Sequence, residues 1–118
     1  MRALLIEDEA LVAIVAEAAL TALGFHVEIA ASAAEALEAV SREEPRLAVI
    51  DLGLPDRDGG ALAADIRTAS PAIGIIIATG YEPSTISDRV PPALGAEIVT
   101  KPYSDADLEA AVRRLGLI

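Results

Sequence analysis

Residues 47–51 read LAVID, four aliphatic side chains followed directly by an aspartate, and residues 52–59 continue as LGLPDRDG. An unbroken aliphatic run of this length is typical of a strand that is covered on both faces, as in a parallel sheet. The proline and glycine that follow are typical of a turn. The segment therefore predicts a buried strand that delivers Asp51 into a loop at its carboxyl end.

Four further short apolar runs accompany this one along the chain. The five predicted strands are Ala3–Ile6, Val27–Ala30, Leu47–Ile50, Ile73–Ala78 and Ala96–Val99. Glu28 interrupts the second run, which indicates a more exposed strand near an edge. Because strands and helical patterns alternate five times, we expect parallel βα units. These predict one domain over residues 1–118, an α/β fold with a doubly wound, five-stranded parallel sheet and helices on both faces.

Apolar residues at helical spacing predict the helices between these strands. The first pattern repeats at every fourth position and ends at Gly24, a residue type that commonly terminates helices. The second starts with the capping-box pattern Ser32-x-x-Glu35, and Ser104 is placed to cap the last. The four apolar stripes are Leu11, Val15, Ala19 and Leu23; Ala33, Leu37 and Val40; Leu62, Ile66 and Ala69; and Leu108, Ala111, Val112 and Leu115.

The segment from Glu82 to Leu94 has a different pattern. It contains three prolines, and only Ile86 and Val90 provide an apolar pair at helical spacing. Proline inside a helix costs about 3 kcal/mol through lost hydrogen bonding and steric conflict. We therefore expect a short, weakly anchored helix there, and the most mobile element of the chain.

Length, composition and charge exclude several classes of protein. The chain has 118 residues, 53% of them hydrophobic, which suits one domain with its own core. The absence of cysteine excludes disulfides, thiolate metal sites and a cysteine nucleophile. A net charge of -10 argues against nucleic acid or an anionic membrane as a direct partner. Without a bilayer-length apolar run or a signal-peptide pattern, a soluble cytoplasmic protein is expected.

Polar residues with distinct chemistry follow the predicted strands. Glu7 and Asp8 follow the first, Asp51 the third, Thr79 the fourth and Lys101 the fifth. In parallel α/β sheets these positions meet at the carboxyl edge, where ligands bind. Three neighbouring carboxylates repel one another, which predicts a cation, and Mg²⁺ suits such oxygen ligands. With Lys101 and Thr79 they form a pocket for a phosphoryl group, in which a carboxylate nucleophile would become an acyl phosphate.

This ordered set resembles the receiver domains of bacterial two-component response regulators. Residues 51–59 are similar to their Asp-x-x-Leu-Pro-x-x-Asp-Gly phosphorylation loop, and the likeness covers the whole chain. The resemblance implies a flavodoxin-like sheet with strand order 2-1-3-4-5. It also implies that Asp51 accepts a phosphoryl group from a phosphohistidine on a sensor histidine kinase or a phosphotransfer protein.

The resemblance further implies a role for each residue of the site. Asp8, Asp51 and the Gly53 backbone carbonyl would ligate Mg²⁺, and Glu7 would act mainly through a bound water. Lys101 would pair with the phosphoryl group, and a cis peptide bond to the following proline would orient the lysine. Thr79 would move towards the phosphoryl group as the switch. The residues expected to serve the switch or a partner are Thr79, Gly80, Tyr81, Pro102 and Tyr103; for Tyr103, packing at the core rim is an equal alternative.

Two departures from the family pattern bear on how the signal leaves. Most receivers carry Asp-Asp after the first strand, where this chain has Glu7-Asp8, and the longer Glu should preserve metal binding. Ile98 stands where an aromatic side chain usually rotates upon activation. Residues 77–81 instead resemble the Phe-Ala-Thr-Gly-Tyr motif of some stand-alone receivers, with Ile77 in place of the Phe. We therefore expect the signal to leave through Gly80, Tyr81 and the proline-rich segment after them.

Other functions are compatible with parts of this pattern. The same fold could act as a phosphorylation-independent docking module. It could also be a receiver cut from a longer regulator or a hybrid kinase, although the initial Met and the ending Arg114–Ile118 favour an intact protein. A phosphatase would need an acid where Gly53 stands, and no glycine-rich nucleotide loop is present. We expect His26 to be an ordinary surface histidine. Asp56, Arg57 and Asp58 predict a solvated charged loop in which Asp58 caps the third helix.

The favoured interpretation is therefore a single-domain, non-enzymatic signalling protein. It would assist its own phosphorylation and dephosphorylation, and it would pass the signal to a downstream protein that the sequence does not identify.

Overall fold

Strands and helices alternate along the chain in the computed structural model, which describes residues 1–80 and 90–118. The strands are β1 (Arg2–Ile6), β2 (His26–Ala30), β3 (Leu47–Asp51), β4 (Gly74–Thr79) and β5 (Glu97–Thr100). The helices of the described residues are α1 (Ala10–Ala22), α2 (Ala33–Arg42), α3 (Gly59–Ala69) and α4 (Asp105–Arg114), and a 3-10 turn spans Pro92–Leu94. Each predicted strand agrees with an observed one to within a residue at either end.

All five strands belong to one parallel sheet with the order β2-β1-β3-β4-β5. The predicted strand order and the edge position of β2 are confirmed. The register brings the carboxyl ends of the strands level, since Ile6 pairs with Ile50 and Thr79 pairs with Thr100. The residues that follow β1, β3 and β5 therefore emerge at the same edge of the sheet.

Helices cover both faces of the sheet because successive strand residues point to opposite sides. Leu4 and Ile6 of β1 belong to a buried cluster that includes residues of α2 and α3. Ala3 and Leu5 belong to a second cluster, on the opposite face, that includes residues of α1 and α4. The central strands β3 and β4 are buried along their whole length, which explains their continuous aliphatic sequences.

The predicted apolar stripe of helix α1 is only half confirmed, since Ala19 is buried and Leu23 packs against the core while Leu11 and Val15 are exposed. Leu11 is 80% exposed and Val15 is 59% exposed, while the buried residues are Ala13, Ala16, Ala19 and Leu20. A four-residue repeat overshoots a full helical turn by about 40° at each step, so the predicted stripe drifts around the helix. The buried set follows the true helical period with small side chains, which lets α1 lie close to the sheet.

The predicted helix ends are largely confirmed. Gly24 follows α1 with a φ of 100°, a conformation that favours glycine. Ser32 accepts a hydrogen bond from the Glu35 backbone amide, and Ser104 forms a complete capping box with Asp107. The stripes of α2 and α4 are confirmed, with some members only half buried, whereas at the end of the α3 stripe Ala69 is exposed and Ala63 is buried instead.

Of the segment predicted to be most mobile, residues 82–89 lie outside the described residues, and the described part ends in the 3-10 turn. His26 is exposed, as predicted. No helix in residues 1–80 and 90–118 is long and apolar enough to cross a membrane.

Candidate functional site

Three carboxylates meet at the carboxyl edge of the sheet, as predicted from the sequence. Ligand oxygens of Glu7, Asp8 and Asp51 all lie within 4.8 Å of one another. Glu7 is only 3% exposed and Asp51 only 7% exposed, whereas Asp8 faces solvent. Asp51 is the last residue of β3, and Glu7 directly follows β1, its neighbour in the sheet. The fold therefore concentrates negative charge at a site with one open side.

Lys101 reaches into this cluster from the end of β5. Its Nζ lies 2.9 Å from Glu7 Oε1 and 3.3 Å from Asp51 Oδ1. The Lys101 backbone amide donates a 2.7 Å hydrogen bond to the Thr79 carbonyl oxygen, which ties this residue to the end of β4. The peptide bond between Lys101 and Pro102 is cis, as predicted. The ammonium group thus bridges two of the three carboxylates.

The two buried carboxyl groups have opposite pKa shifts. Burial is the largest influence on Glu7 and, with the neighbouring Asp51, it raises the Glu7 pKa despite hydrogen bonds from Lys101 and the Glu9 amide. Burial also acts to raise the Asp51 pKa, but the Gly53 amide, Glu7 and Lys101 outweigh it, so this pKa lies below its ordinary value. Of the pair, Asp51 is therefore the group that stays ionised and is able to act as a nucleophile.

The partners of Lys101 also determine its own protonation. Burial lowers the pKa of the ammonium, but the hydrogen bond to Glu7 and the charges of Asp51 and Glu7 outweigh this effect and raise it. Nearby, burial and the Glu7 charge raise the pKa of the Tyr103 hydroxyl. Lys101 therefore remains a cation beside Asp51, in a position to neutralise a phosphoryl oxygen.

Short backbone contacts hold the loop that follows Asp51. The Gly53 amide donates to Asp51 Oδ1 over 3.1 Å, and the Gly59 amide donates to the Leu52 carbonyl over 3.1 Å. A Cβ atom on Gly59 would lie 2.6 Å from the Asp51 carbonyl oxygen, too close for any other residue without a backbone shift. Asp58 accepts from the Ala61 amide and caps α3, as predicted.

Asp56 lies in an exposed charged loop, as predicted, but it also makes a contact that the sequence did not predict. Its carboxylate accepts hydrogen bonds from the backbone amides of Ala33 and Ala34 at the start of α2, over 2.9 and 3.2 Å. No local pattern could have indicated this contact, since the partners are 22 and 23 residues apart in the chain.

The proposed switch and partner residues occupy different environments. Thr79 is 1% exposed at the end of β4, next to the site, while Gly80 and Pro102 are exposed. Tyr103 is half buried and packs against the cluster on the α1 side of the sheet. Ile98 packs against the opposite cluster, on the α2 and α3 side. Tyr81 lies outside the described residues.

A groove of about 490 Å³ opens beside the acidic cluster. Its walls come from α1 and from the residues after β5, and they include Leu11, Val12, Val15, Lys101, Pro102 and Tyr103. The groove is largely apolar, and Lys101, whose ammonium contacts Asp51, forms part of its wall. Sequence reasoning missed this surface because it assigned Leu11 and Val15 to the core.

The donor set fits a hard divalent cation. Carboxylate oxygens are ligands that Mg²⁺ prefers, and Mg²⁺ in proteins keeps several waters, which suits an open site with few protein ligands. Three carboxylates face one ammonium, which leaves an excess of negative charge for a divalent cation to neutralise. Residues Glu7, Asp8 and Asp51 would therefore supply the protein side of such a site.

The response regulator receiver domain family matches residues 3–113, nearly the whole chain. The chain belongs to this family. A probable transcriptional regulator, ycf27 of Porphyridium aerugineum, is 38% identical to this receiver domain over 112 residues, which cover 93% of this chain and 45% of the regulator. The sensor kinase CckA of Brucella abortus is 32% identical over 114 residues, which cover 95% of this chain and 12% of the kinase.

Solved receiver structures have the same fold. A CheY-like receiver domain protein from Methanospirillum hungatei superposes with a TM-score of 0.87 at 30% identity, covering 98% of this chain and 94% of that one. A putative response regulator from Chloroflexus aurantiacus gives a TM-score of 0.87 at 25% identity, covering 99% and 98%. This receiver domain spans about half the length of the curated regulators that it matches.

Proposed function

We propose that this receiver domain accepts a phosphoryl group on Asp51, with Mg²⁺ bound, and thereby changes its contacts with other proteins. The main support is the environment of Asp51, a nearly buried carboxylate with a lowered pKa beside two further carboxylates and the Lys101 ammonium. The donor is a phosphohistidine on a sensor histidine kinase or a phosphotransfer protein, since receiver domains act with such kinases. We propose a cytoplasmic location for the chain as well.

In the proposed transfer, an Asp51 carboxylate oxygen attacks the phosphorus atom. A P–O bond forms as the P–N bond to the donor imidazole breaks, and the imidazole nitrogen keeps the electron pair of the broken bond. The product is an acyl phosphate on Asp51. The chain is then a phosphoacceptor that assists its own modification, and not an enzyme that turns over a separate substrate.

The remaining side chains supply positioning and charge. Asp8, Asp51 and the Gly53 carbonyl would hold Mg²⁺, with Glu7 acting mainly through a water molecule. The bound ion would neutralise phosphoryl oxygens, and positioning together with charge neutralisation is most of what phosphoryl transfer requires. Lys101, already 3.3 Å from Asp51 Oδ1, would pair with the new phosphoryl group.

Switching follows from competition for the same groups. Lys101 now donates to Glu7 Oε1 over 2.9 Å, and a phosphoryl group on Asp51 would draw the ammonium away from Glu7. Thr79, buried at the next strand end, would turn its hydroxyl towards the phosphoryl oxygens. The conformational change would reach a downstream protein through Gly80 and Tyr81, because Ile98 replaces the aromatic side chain that usually rotates.

The groove beside the site offers the donor a place to dock. Of the residues that line it, Leu11 is 80% exposed and Val15 is 59% exposed, and a partner seated in the groove would cover this aliphatic surface. The groove also reaches Lys101, so that a protein seated on α1 would lie beside the phosphoacceptor.

The direct test is incubation with Mg²⁺ and acetyl phosphate followed by intact-protein mass spectrometry. We expect one added phosphoryl group on the wild type, none without Mg²⁺ and none on Asp51→Asn. Asp65→Asn is the matched control, because Asp65 is a half-exposed carboxylate of α3 that does not belong to the acidic cluster. A wild type that gains no phosphoryl group, or an Asp51→Asn variant that gains one, would contradict the proposal.

Two alternatives share this fold. Relatives carry the module within a longer regulator and a kinase, so the same phosphoacceptor chemistry could operate as one part of a larger protein. A phosphorylation-independent docking module is the second alternative, since Lys101 already neutralises part of the acidic cluster without a metal. The acetyl phosphate experiment separates the docking module from both phosphoacceptor readings.

A further inference from the structure

Asp56 connects two elements that are far apart in the sequence. Its Oδ1 accepts from the Ala33 amide over 2.9 Å and its Oδ2 accepts from the Ala34 amide over 3.2 Å. These amides belong to the first turn of α2, where backbone donors have no partner within the helix. A carboxylate is favourable there because the start of a helix carries partial positive charge. The contact is therefore a two-point, charge-assisted attachment of the loop to α2.

The other donors at the start of α2 are satisfied locally. Ser32 Oγ accepts from the Glu35 amide over 3.2 Å, and Glu35 Oε2 accepts from the Ala31 amide over 2.6 Å. Among the side-chain acceptors described at this helix start, Asp56 alone comes from another element. Asp56 therefore accepts from the first two amides of the helix, which the local cap does not reach, and thereby joins the two elements.

The attached loop, residues 52–58, leads directly from the phosphoacceptor. Its beginning is held by the Gly53 amide on Asp51, and its end by the Asp58 cap on α3. Leu52 and Leu54 are buried in the cluster that includes residues of α2. Between the two ends, Asp56 fixes the loop to α2 from outside the core, and Arg57 pairs with Asp65 of α3.

The same connection also positions the carboxylates that follow β1. The Glu7 backbone amide donates to the Ala30 carbonyl over 2.9 Å, at the end of β2. Residues 30–34 therefore contact Glu7 on one side and the acceptor loop on the other. The pairing of β1 with β3 sets the two strand ends side by side, and the contacts of Ala30, Ala33 and Ala34 add a second link between the residues that follow those strands.

We propose that Asp56 is a positioning residue for the Mg²⁺ site, which fastens the phosphoacceptor loop to the start of α2 and so holds Asp51 and Gly53 against Glu7 and Asp8. The proposal rests on the proposed function, because it concerns the metal that the phosphoacceptor uses. Groups that orient metal ligands from outside the coordination sphere typically change metal affinity by about 10- to 100-fold when removed.

The test compares Mg²⁺ binding, measured by NMR titration, in Asp56→Ala, Asp56→Asn and Ser32→Ala. We expect Asp56→Ala to bind Mg²⁺ several-fold more weakly than the wild type, a smaller effect than that range because Asp56 contacts no metal ligand directly. Asp56→Asn keeps one acceptor oxygen, so its affinity should lie between the two. Ser32→Ala removes a cap from the same helix without touching the loop, and its Mg²⁺ affinity should equal that of the wild type.

A second readout uses the metal-free protein. Amide hydrogen exchange at Ala33, Ala34 and Gly53 should be faster in Asp56→Ala, whereas Ser32→Ala should expose Glu35 and leave Gly53 unchanged. Unchanged Mg²⁺ affinity in Asp56→Ala, or an equal loss in Ser32→Ala, would overturn the positioning role. Failure of the wild type itself to bind Mg²⁺ or to be phosphorylated would instead overturn the proposed function, and the exchange experiment would still report on the attachment.

Discussion

Glu7 is the residue at which stability and function oppose each other most directly. Burial raises its pKa, so the folded protein favours the neutral acid, while a metal site needs the anion. Because its folded pKa lies above the unfolded value, Glu7 stabilises the folded state most at pH values below the unfolded pKa. That stabilisation is lost as the pH rises through the folded pKa. A neutral side chain of the same shape should therefore stabilise the metal-free protein at neutral pH.

We expect Glu7→Gln to raise the metal-free unfolding free energy at neutral pH, because the neutral amide avoids the cost of burying the carboxylate charge. The gain should shrink as the pH falls through the folded pKa of Glu7, where the wild type also becomes neutral. Mg²⁺ affinity should fall in the same variant. Urea unfolding across pH with and without Mg²⁺ measures both effects, and a destabilised metal-free variant would contradict the interpretation of the Glu7 pKa.

Lys101 occupies the site as a cation before any metal does. Its Nζ contacts both buried carboxylates, so Lys101→Met should leave more uncompensated negative charge. We expect this variant to unfold more easily without metal and to bind Mg²⁺ more tightly than the wild type. It should still accept a phosphoryl group, but NMR spectra with beryllofluoride should show a smaller conformational change. A full change would refute the role of Lys101 in switching.

Most of the site could be predicted from the order of a few residues, because parallel topology brings strand ends together whatever the intervening sequence. Glu7, Asp8, Asp51 and Lys101 are examples, and their grouping is confirmed. Asp56 could not be predicted, since its contact depends on where α2 lies relative to the acceptor loop. Such a contact between distant segments leaves no periodic pattern in the sequence.

Among the elements, α1 shows where periodicity fails. The helix is apolar almost all round, so the hydrophobic pattern does not identify the face that packs on the sheet. Helix α1 lies so close to the sheet that mainly alanines fit between them, and larger residues such as Leu11 lie on the outer face. Because α1 is apolar on nearly every face, packing one face on the sheet leaves aliphatic side chains exposed on the other. This exposed surface supports a role for α1 in docking the phosphoryl donor.

We expect Leu11→Gln to change stability by less than about 0.5 kcal/mol, because the side chain is 80% exposed. Phosphorylation by acetyl phosphate should be unaffected, since that donor needs no docking surface. Transfer from a phosphorylated histidine kinase or phosphotransfer protein should slow several-fold. Ile29→Gln is the matched control, an exposed isoleucine on edge strand β2, and it should alter neither reaction. Equal rates from the protein donor in wild type and Leu11→Gln would exclude a docking role for Leu11.

At the level of the molecule, the acidic cluster lies within a chain whose net charge is already -10. Self-repulsion of this size weakens the compact state, and any salt relieves part of it by screening. A stabilising effect of Mg²⁺ is therefore informative only at matched ionic strength. Specific binding differs from screening because it depends on three particular carboxylates.

We expect Mg²⁺ at about 100 times its dissociation constant to add roughly 2.7 kcal/mol to the unfolding free energy, through binding to the folded state alone. Thermal unfolding at constant ionic strength, with KCl replacing MgCl₂, measures this gain. Asp51→Asn should lose most of it, whereas Glu17→Gln, on α1 and away from the cluster, should keep it because screening is almost unchanged. If both variants kept the gain, Mg²⁺ would be acting on the overall charge of the chain, and the carboxyl edge of the sheet would not be a metal site.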